Sequence, residues 1–143
     1  MNTSPFRKIE PVNKRQDPYN LGRFRILVVE DSGFISSLLY SCLLQMGVGE
    51  IVRAMSVRSA REKINQYNGP GSLNHIDIVL LDWLMPEENG SELLKWIRQK
   101  ERDTKRFLPV IICSAFTDAE LVTQSRDLGA NEVMVKPISA EKI

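Results

Sequence analysis

From Arg25 onward, short apolar runs of strand length alternate with segments whose apolar positions recur at helical spacing. Ile26-Leu27-Val28-Val29 is unbroken and rich in β-branched residues, the pattern of a strand covered on both faces. It ends in Glu30-Asp31-Ser32-Gly33 and is followed by Ile35, Leu38, Leu39, Cys42 and Met46 on one predicted helix face, closed by Gly47. Ile51-Val52-Arg53-Ala54 predicts a second, weaker strand. Ser56 then caps a helix whose inward stripe is Val57, Ala60, Ile64 and Tyr67. After the loop composition of Asn68-Gly69-Pro70-Gly71-Ser72, a third strand over residues 76–81 runs into Asp82. Beyond Pro86 and Gly90 the pattern predicts a helix carrying Leu93, Leu94 and Ile97, with a charged tail from Lys95 to Arg106. Pro109 to Cys113 predicts a fourth strand. Thr117 caps a helix with Leu121, Val122, Ser125 and Leu128 facing inward up to Gly129, and Val133-Met134-Val135 is a short fifth strand. Ser139 is the predicted cap of a last helix that the chain barely begins.

Strands alternating with helices in this way imply an α/β domain with a parallel sheet, helices on both faces and right-handed crossovers. In such sheets, ligands bind beyond the carboxyl ends of the strands, at the point where the winding reverses. Glu30 and Asp31, Asp82, Ser114 and Lys136 all fall at predicted strand ends.

Composition narrows the setting without changing the fold. A chain of 143 residues, 26% charged and with a formal net charge of +1, has room for one domain of common size and matches a soluble globular profile. No apolar run approaches the roughly 20 residues of a membrane span, and the N-terminus lacks the apolar core of a secretory signal, so a cytoplasmic protein is expected. Cys42 and Cys113 read as buried reduced thiols, and His75 as a lone loop histidine. Residues 1–24 form a separate unit in this reading. They are basic and punctuated by Pro5, Pro11 and Pro18, without apolar periodicity, which fits a flexible or loosely packed extension ahead of a domain over 25–143. Nothing aromatic or helical accompanies that charge, so nucleic acid is not expected as a partner.

The strand-end residues make a chemical set. Glu30, Asp31 and Asp82 gathered in a partly buried cleft need a countercharge, and a hard cation bound through oxygens supplies one. Mg²⁺ suits a site of few carboxylates, several waters and a phosphate. Lys136 offers a mobile charge with three donors to a phosphoryl oxygen, and Ser114 one more hydrogen bond. Asp82 then has the surroundings of a carboxylate nucleophile, since phosphoryl transfer depends mostly on positioning and electrostatics. Singly, each residue has a plainer reading: the acids as turn or capping residues, Ser114 as a cap, Lys136 as a solvated charge. Their coincidence at consecutive strand ends is the signal.

These residues carry a resemblance. Ile26 to Ser32, then Val79-Leu80-Leu81-Asp82-Trp83-Leu84-Met85-Pro86 with Gly90, then Ser114-Ala115 and Val135-Lys136-Pro137 resemble, in order and spacing, the receiver domain of bacterial response regulators of two-component signalling. The resemblance runs from about Arg25 to Ile143 and implies a flavodoxin-like, doubly wound five-stranded parallel sheet. It implies that Asp82 is the phosphoacceptor, that Asp31, Asp82 and the backbone carbonyl of Leu84 bind Mg²⁺, and that Glu30 is an outer acidic partner. It further makes Ser114 the hydroxyl that moves toward the phosphoryl group, Ala115 a small residue leaving access to donors, and Lys136 the phosphoryl-pairing lysine, aimed by a cis bond to Pro137. Such a domain has no turnover of its own beyond self-catalysed transfer and hydrolysis. It takes phosphorus from a histidine kinase or histidine phosphotransfer protein and presents a switched surface to a downstream protein or to a second copy of itself.

Two departures stand out. The family's aromatic switch position, three residues before the lysine, holds Val133, which cannot make the same rotamer change; Phe116 is the candidate to fill part of that space. The chain also stops one turn into the expected last helix, so one flank of the sheet is expected to lack its cover. Among rivals, a haloacid-dehalogenase-type phosphatase needs a second aspartate where Leu84 stands. Nucleotide-binding glycine motifs are absent, and Glu30-Asp31 would repel the phosphate of FMN. A non-phosphorylated pseudo-receiver that serves only as an interaction module is the remaining alternative.

Overall fold

The computed structural model describes residues 20–69, 71–85, 89–99, 107–114 and 119–135. Strands β1 (Arg25–Val29), β2 (Glu50–Ala54), β3 (Ile78–Asp82), β4 (Val110–Ser114) and β5 (Glu132–Val135) alternate with helices α1 (Gly33–Gln45), α2 (Val57–Tyr67), α3 (Gly90–Ile97) and α4 (Ala119–Asp127). All strand pairs are parallel and the order is β2-β1-β3-β4-β5. The chain winds one way from β1 to β2 and the other way from β1 through β3 to β5. The reversal therefore lies between β1 and β3, as the doubly wound expectation requires.

Alternate residues of the strands feed two cores. Leu27, Val29, Val79, Leu81, Val110 and Ile112 pack with Val57, Ala60 and Ile64 of α2 and Leu93, Leu94, Trp96 and Ile97 of α3. On the other face Ile26, Val28, Leu80 and Cys113 pack with Leu39 and Leu43 of α1. Period-two strands covered on both faces explain why their sequence reads as continuous apolar runs. Ser56 caps α2 as expected, accepting from Ser59 N at 3.0 Å, and Ser32 caps α1 through Ile35 N at 3.2 Å. Neither Cys42 nor Cys113 is in a disulfide; Cys113 is buried and Cys42 half-buried.

Several expectations shift. Leu38 is partly exposed rather than inward, and Leu43 takes the place in the core, because the buried stripe of α1 follows Ser36, Leu39 and Leu43. Residues Leu38, Leu39, Leu43 and Leu44 offer two competing apolar registers, and only the sheet chooses between them. The third strand starts at Ile78, not Ile76. The Asp77 carboxylate accepts from Arg25 N at 2.8 Å, and the buried Asn68 side chain brackets Ile76, accepting from its N at 2.8 Å and donating to its carbonyl at 3.1 Å. Helix α3 ends at Ile97, so only the start of the predicted charged tail, at Lys95, lies within it. Residues 20–24, grouped with the extension on pattern, are tied to the sheet: Leu21–Arg23 form a 3-10 turn, and the carbonyls of Leu21 and Phe24 accept from Gly49 N and Glu50 N, each at 3.1 Å. The predicted caps Thr117 and Ser139, and the last helix, lie outside the described residues.

Candidate functional site

The site is assembled by strand register. Val29 pairs with Leu81 across β1 and β3, so Glu30 and Asp31, just past β1, come beside Asp82, the last residue of β3. Glu30 N donates to Ala54 O at 3.0 Å, continuing the β1–β2 ladder one residue past the strand. Its carboxylate is held in turn by Ser32 N at 3.2 Å. Glu30 and Asp82 are buried and Asp31 is half-buried. One carboxylate oxygen from each of the three lies within 4.8 Å of the others.

Three carboxylates so close repel one another, and their shared opening is where a cation relieves that repulsion. The oxygen-only donor set is right for a hard divalent ion. Magnesium–oxygen bonds of about 2.0–2.1 Å let an ion bind two of these groups directly and reach the third through water. Glu30, Asp31 and Asp82 therefore fit Mg²⁺.

Trp83, just past β3, is held from the α3 side. Gly90 N donates to Trp83 O at 2.7 Å, and Asn89 caps α3 by accepting from Ser91 N at 2.7 Å. A Cβ on Gly90 would stand 2.6 Å from the Asp82 carbonyl oxygen and 3.0 Å from Trp83 Cα. Trp83 N reaches Cys113 O at 3.3 Å, extending the β3–β4 ladder. Sequence reading quoted Gly90 as a motif residue but missed this close approach; Asn-Gly ahead of an apolar helical stretch was the available signal.

Of the other predicted site residues, Ser114 closes β4, buried, one position beyond the partner of Asp82. Leu84 stands exposed two residues after Asp82. Val133 pairs with Ile112 and is half-buried against the core shared with α2 and α3. Ala115, Phe116, Lys136 and Pro137 lie outside the described residues. The described residues thus bring together Glu30, Asp31 and Asp82, with Ser114 on the neighbouring strand end. Phe34, Met55 and Leu84, all largely exposed, follow β1, β2 and β3 at the same edge of the sheet. No helix among the described residues is long and apolar enough to cross a membrane.

The chain is similar to known proteins over most of its length. The chain is 29% identical over 119 residues to the chemotaxis protein CheY of Bacillus subtilis, covering 83% of this chain and 90% of that one. It is 37% identical over 118 residues to a protein-glutamate methylesterase/protein-glutamine glutaminase of Trichodesmium erythraeum, covering 80% of this chain but 30% of that protein. Among solved structures, the receiver domain of the histidine kinase CKI1 from Arabidopsis thaliana, complexed with Mg²⁺ and BeF₃⁻, superposes with a TM-score of 0.70 at 25% identity, over 80% of this chain and 82% of that one. The family model for the response regulator receiver domain matches residues 26–143. With its sheet order, its acidic cluster at the winding reversal and this match, the chain belongs to the response regulator receiver domain family of two-component signalling.

Proposed function

We propose that the domain is a phosphoacceptor whose Asp82 takes a phosphoryl group in a Mg²⁺-dependent transfer. The observation that carries this reading is the meeting of Glu30, Asp31 and Asp82 within 4.8 Å at the winding reversal. Asp31, Asp82 and the carbonyl of Leu84 would hold the ion, with Glu30 as the outer acid; when bound, Mg²⁺ neutralises charge on the transferring group. An Asp82 carboxylate oxygen attacks phosphorus, and the bond to the donor breaks, leaving its electron pair on the donor. The product is an acyl phosphate, and water later hydrolyses it to restore the carboxylate. Ser114 and Lys136 are the groups proposed to pair with the phosphoryl oxygens, and small Ala115 to leave the approach open. The structural relative's complex with Mg²⁺ and BeF₃⁻ supports this reading.

The donor is a histidine kinase or histidine phosphotransfer protein, and the readout is a protein surface, either on an unidentified target or on a second copy of this chain. Intact-protein mass spectrometry after incubation with a small phosphodonor and Mg²⁺ tests the reading. Wild type should gain one phosphoryl group and Asp82→Asn none. Equal labelling of both would move the site elsewhere, and no labelling of either would favour a non-phosphorylated interaction module.

A further inference from the structure

Asparagine followed by glycine occurs twice in the chain, at Asn68-Gly69 and at Asn89-Gly90. This pair carries a chemistry of its own. Glycine has no Cβ to shield its backbone nitrogen, so that nitrogen can reach the side-chain carbonyl carbon of the preceding asparagine and close a five-membered imide. The fold treats the two pairs differently.

Asn68 is sealed. It is buried, its Oδ1 accepts from Ile76 N at 2.8 Å, and its Nδ2 donates to Ile76 O at 3.1 Å. Its own N donates to Ile64 O at 2.8 Å, at the end of α2. Both ends of the amide are engaged away from water, so attack on its Cγ requires the α2–β3 connection to come apart. Asn89 is open to solvent. Its attacking neighbour, Gly90 N, is held by a backbone bond to Trp83 O at 2.7 Å, and its Oδ1 accepts from Ser91 N at 2.7 Å as the cap of α3. These bonds slow the attack without sealing the site. Opening the start of one helix costs far less than releasing a buried bracket between two elements.

We propose that Asn89 is a covalent modification site, deamidated through Gly90 N in the folded domain, while Asn68 is inert until the chain unfolds. Gly90 N gives up its proton and bonds to Asn89 Cγ; the Cγ–Nδ2 bond breaks, and Nδ2 leaves with that proton as ammonia. Water then adds to the imide. Opening at Cγ restores the ordinary main chain with a carboxylate in place of the amide. Opening at the main-chain carbonyl routes the chain through Cγ instead. Either product places a negative charge at the start of α3, where the helix dipole favours it, and a carboxylate caps as well as an amide. Gly90 packs against the Asp82 carbonyl, so the new charge joins the rim of the Glu30, Asp31 and Asp82 cluster. The consequence, which rests on the Mg²⁺ reading of that cluster, is that the first product binds the ion about threefold more tightly.

The whole chain, aged without metal in mildly alkaline buffer, native and in urea, tests the proposal through mass spectrometry of its acid-digested peptides. In urea both pairs should react at similar rates. In the native chain the reaction at Asn68 should be slowed at least about tenfold more than that at Asn89. Asn89→Gln, whose longer side chain would have to close a larger ring, should leave its peptide unchanged. Equal slowing at the two positions, stronger slowing at Asn89, or no native reaction at Asn89 would overturn the proposal. Asn89→Asp stands in for the first product in a Mg²⁺ titration, and an affinity no tighter than wild type would overturn the consequence for the cluster. Absence of Mg²⁺ binding in both proteins would instead overturn the metal reading, and the peptide masses alone would decide the modification.

Discussion

Gly90 at the start of α3 packs so closely on the end of β3 that the Asp82 carbonyl oxygen stands 2.6 Å from where its Cβ would be. Backbone, not a flexible side chain, occupies that space, so neither partner can yield without moving the end of β3, which carries Asp82, and the loop that follows it. Gly90→Ala should therefore cost about 1–3 kcal/mol of stability, the usual penalty for overpacking. It should also weaken Mg²⁺ binding, because the loop that must shift carries Leu84. Urea melts and a Mg²⁺ titration of tryptophan fluorescence check both, with Trp83 as the reporter beside Asp82. A variant with native stability and affinity would show that the loop tolerates the methyl.

The crowding of Glu30, Asp31 and Asp82 predicts opposite effects with and without metal. In chelator, Asp31→Asn should raise stability by roughly 1 kcal/mol, since it removes a like charge from the cluster. In Mg²⁺ at tenfold its Kd, wild type should gain about 1.4 kcal/mol, and the variant much less. Paired thermal melts in chelator and in Mg²⁺ give the sign of each change.

Asn68 separates fold from function. Its buried amide pairs with both the N–H and the carbonyl of Ile76, and Ile76 lies about 20 Å along the strand direction from Asp82. Asn68→Ala strands two buried backbone groups and should cost about 2–4 kcal/mol. Phosphodonor labelling of Asp82, measured where the variant is still folded, should match wild type. Impaired labelling there would mean that the two ends of the sheet are coupled.

Val133 sets a further expectation. An aliphatic residue paired with Ile112 and packed on the core has no large rotamer change to offer. On addition of beryllofluoride and Mg²⁺, amide chemical shifts should move strongly at Ser114 and little at Val133. Comparable changes at both would mean that this strand responds without an aromatic.

Much of the architecture was legible in the pattern itself. Five apolar runs, four intervening helical stretches and the cap at Ser56 all appear close to their expected places, with strand ends displaced by one or two residues. The displacements have particular causes. Ile76 looks like strand by composition but is held outside it by Asn68, a contact between positions eight residues apart across a loop. Leu38 and Leu43 compete for one helix face, and no local preference separates them.

The sequence alone determined which residue types stand at each strand end, because the continuous apolar runs stop at Glu30, Asp82 and Ser114. Tertiary structure decided that β1 lies beside β3, since pairing between distant strands depends on the packing of helices on both faces rather than on either strand's own residues. Only that pairing brings the carboxylates of Glu30 and Asp31 to Asp82, and only packing turned Gly90, unremarkable in one dimension, into a contact surface.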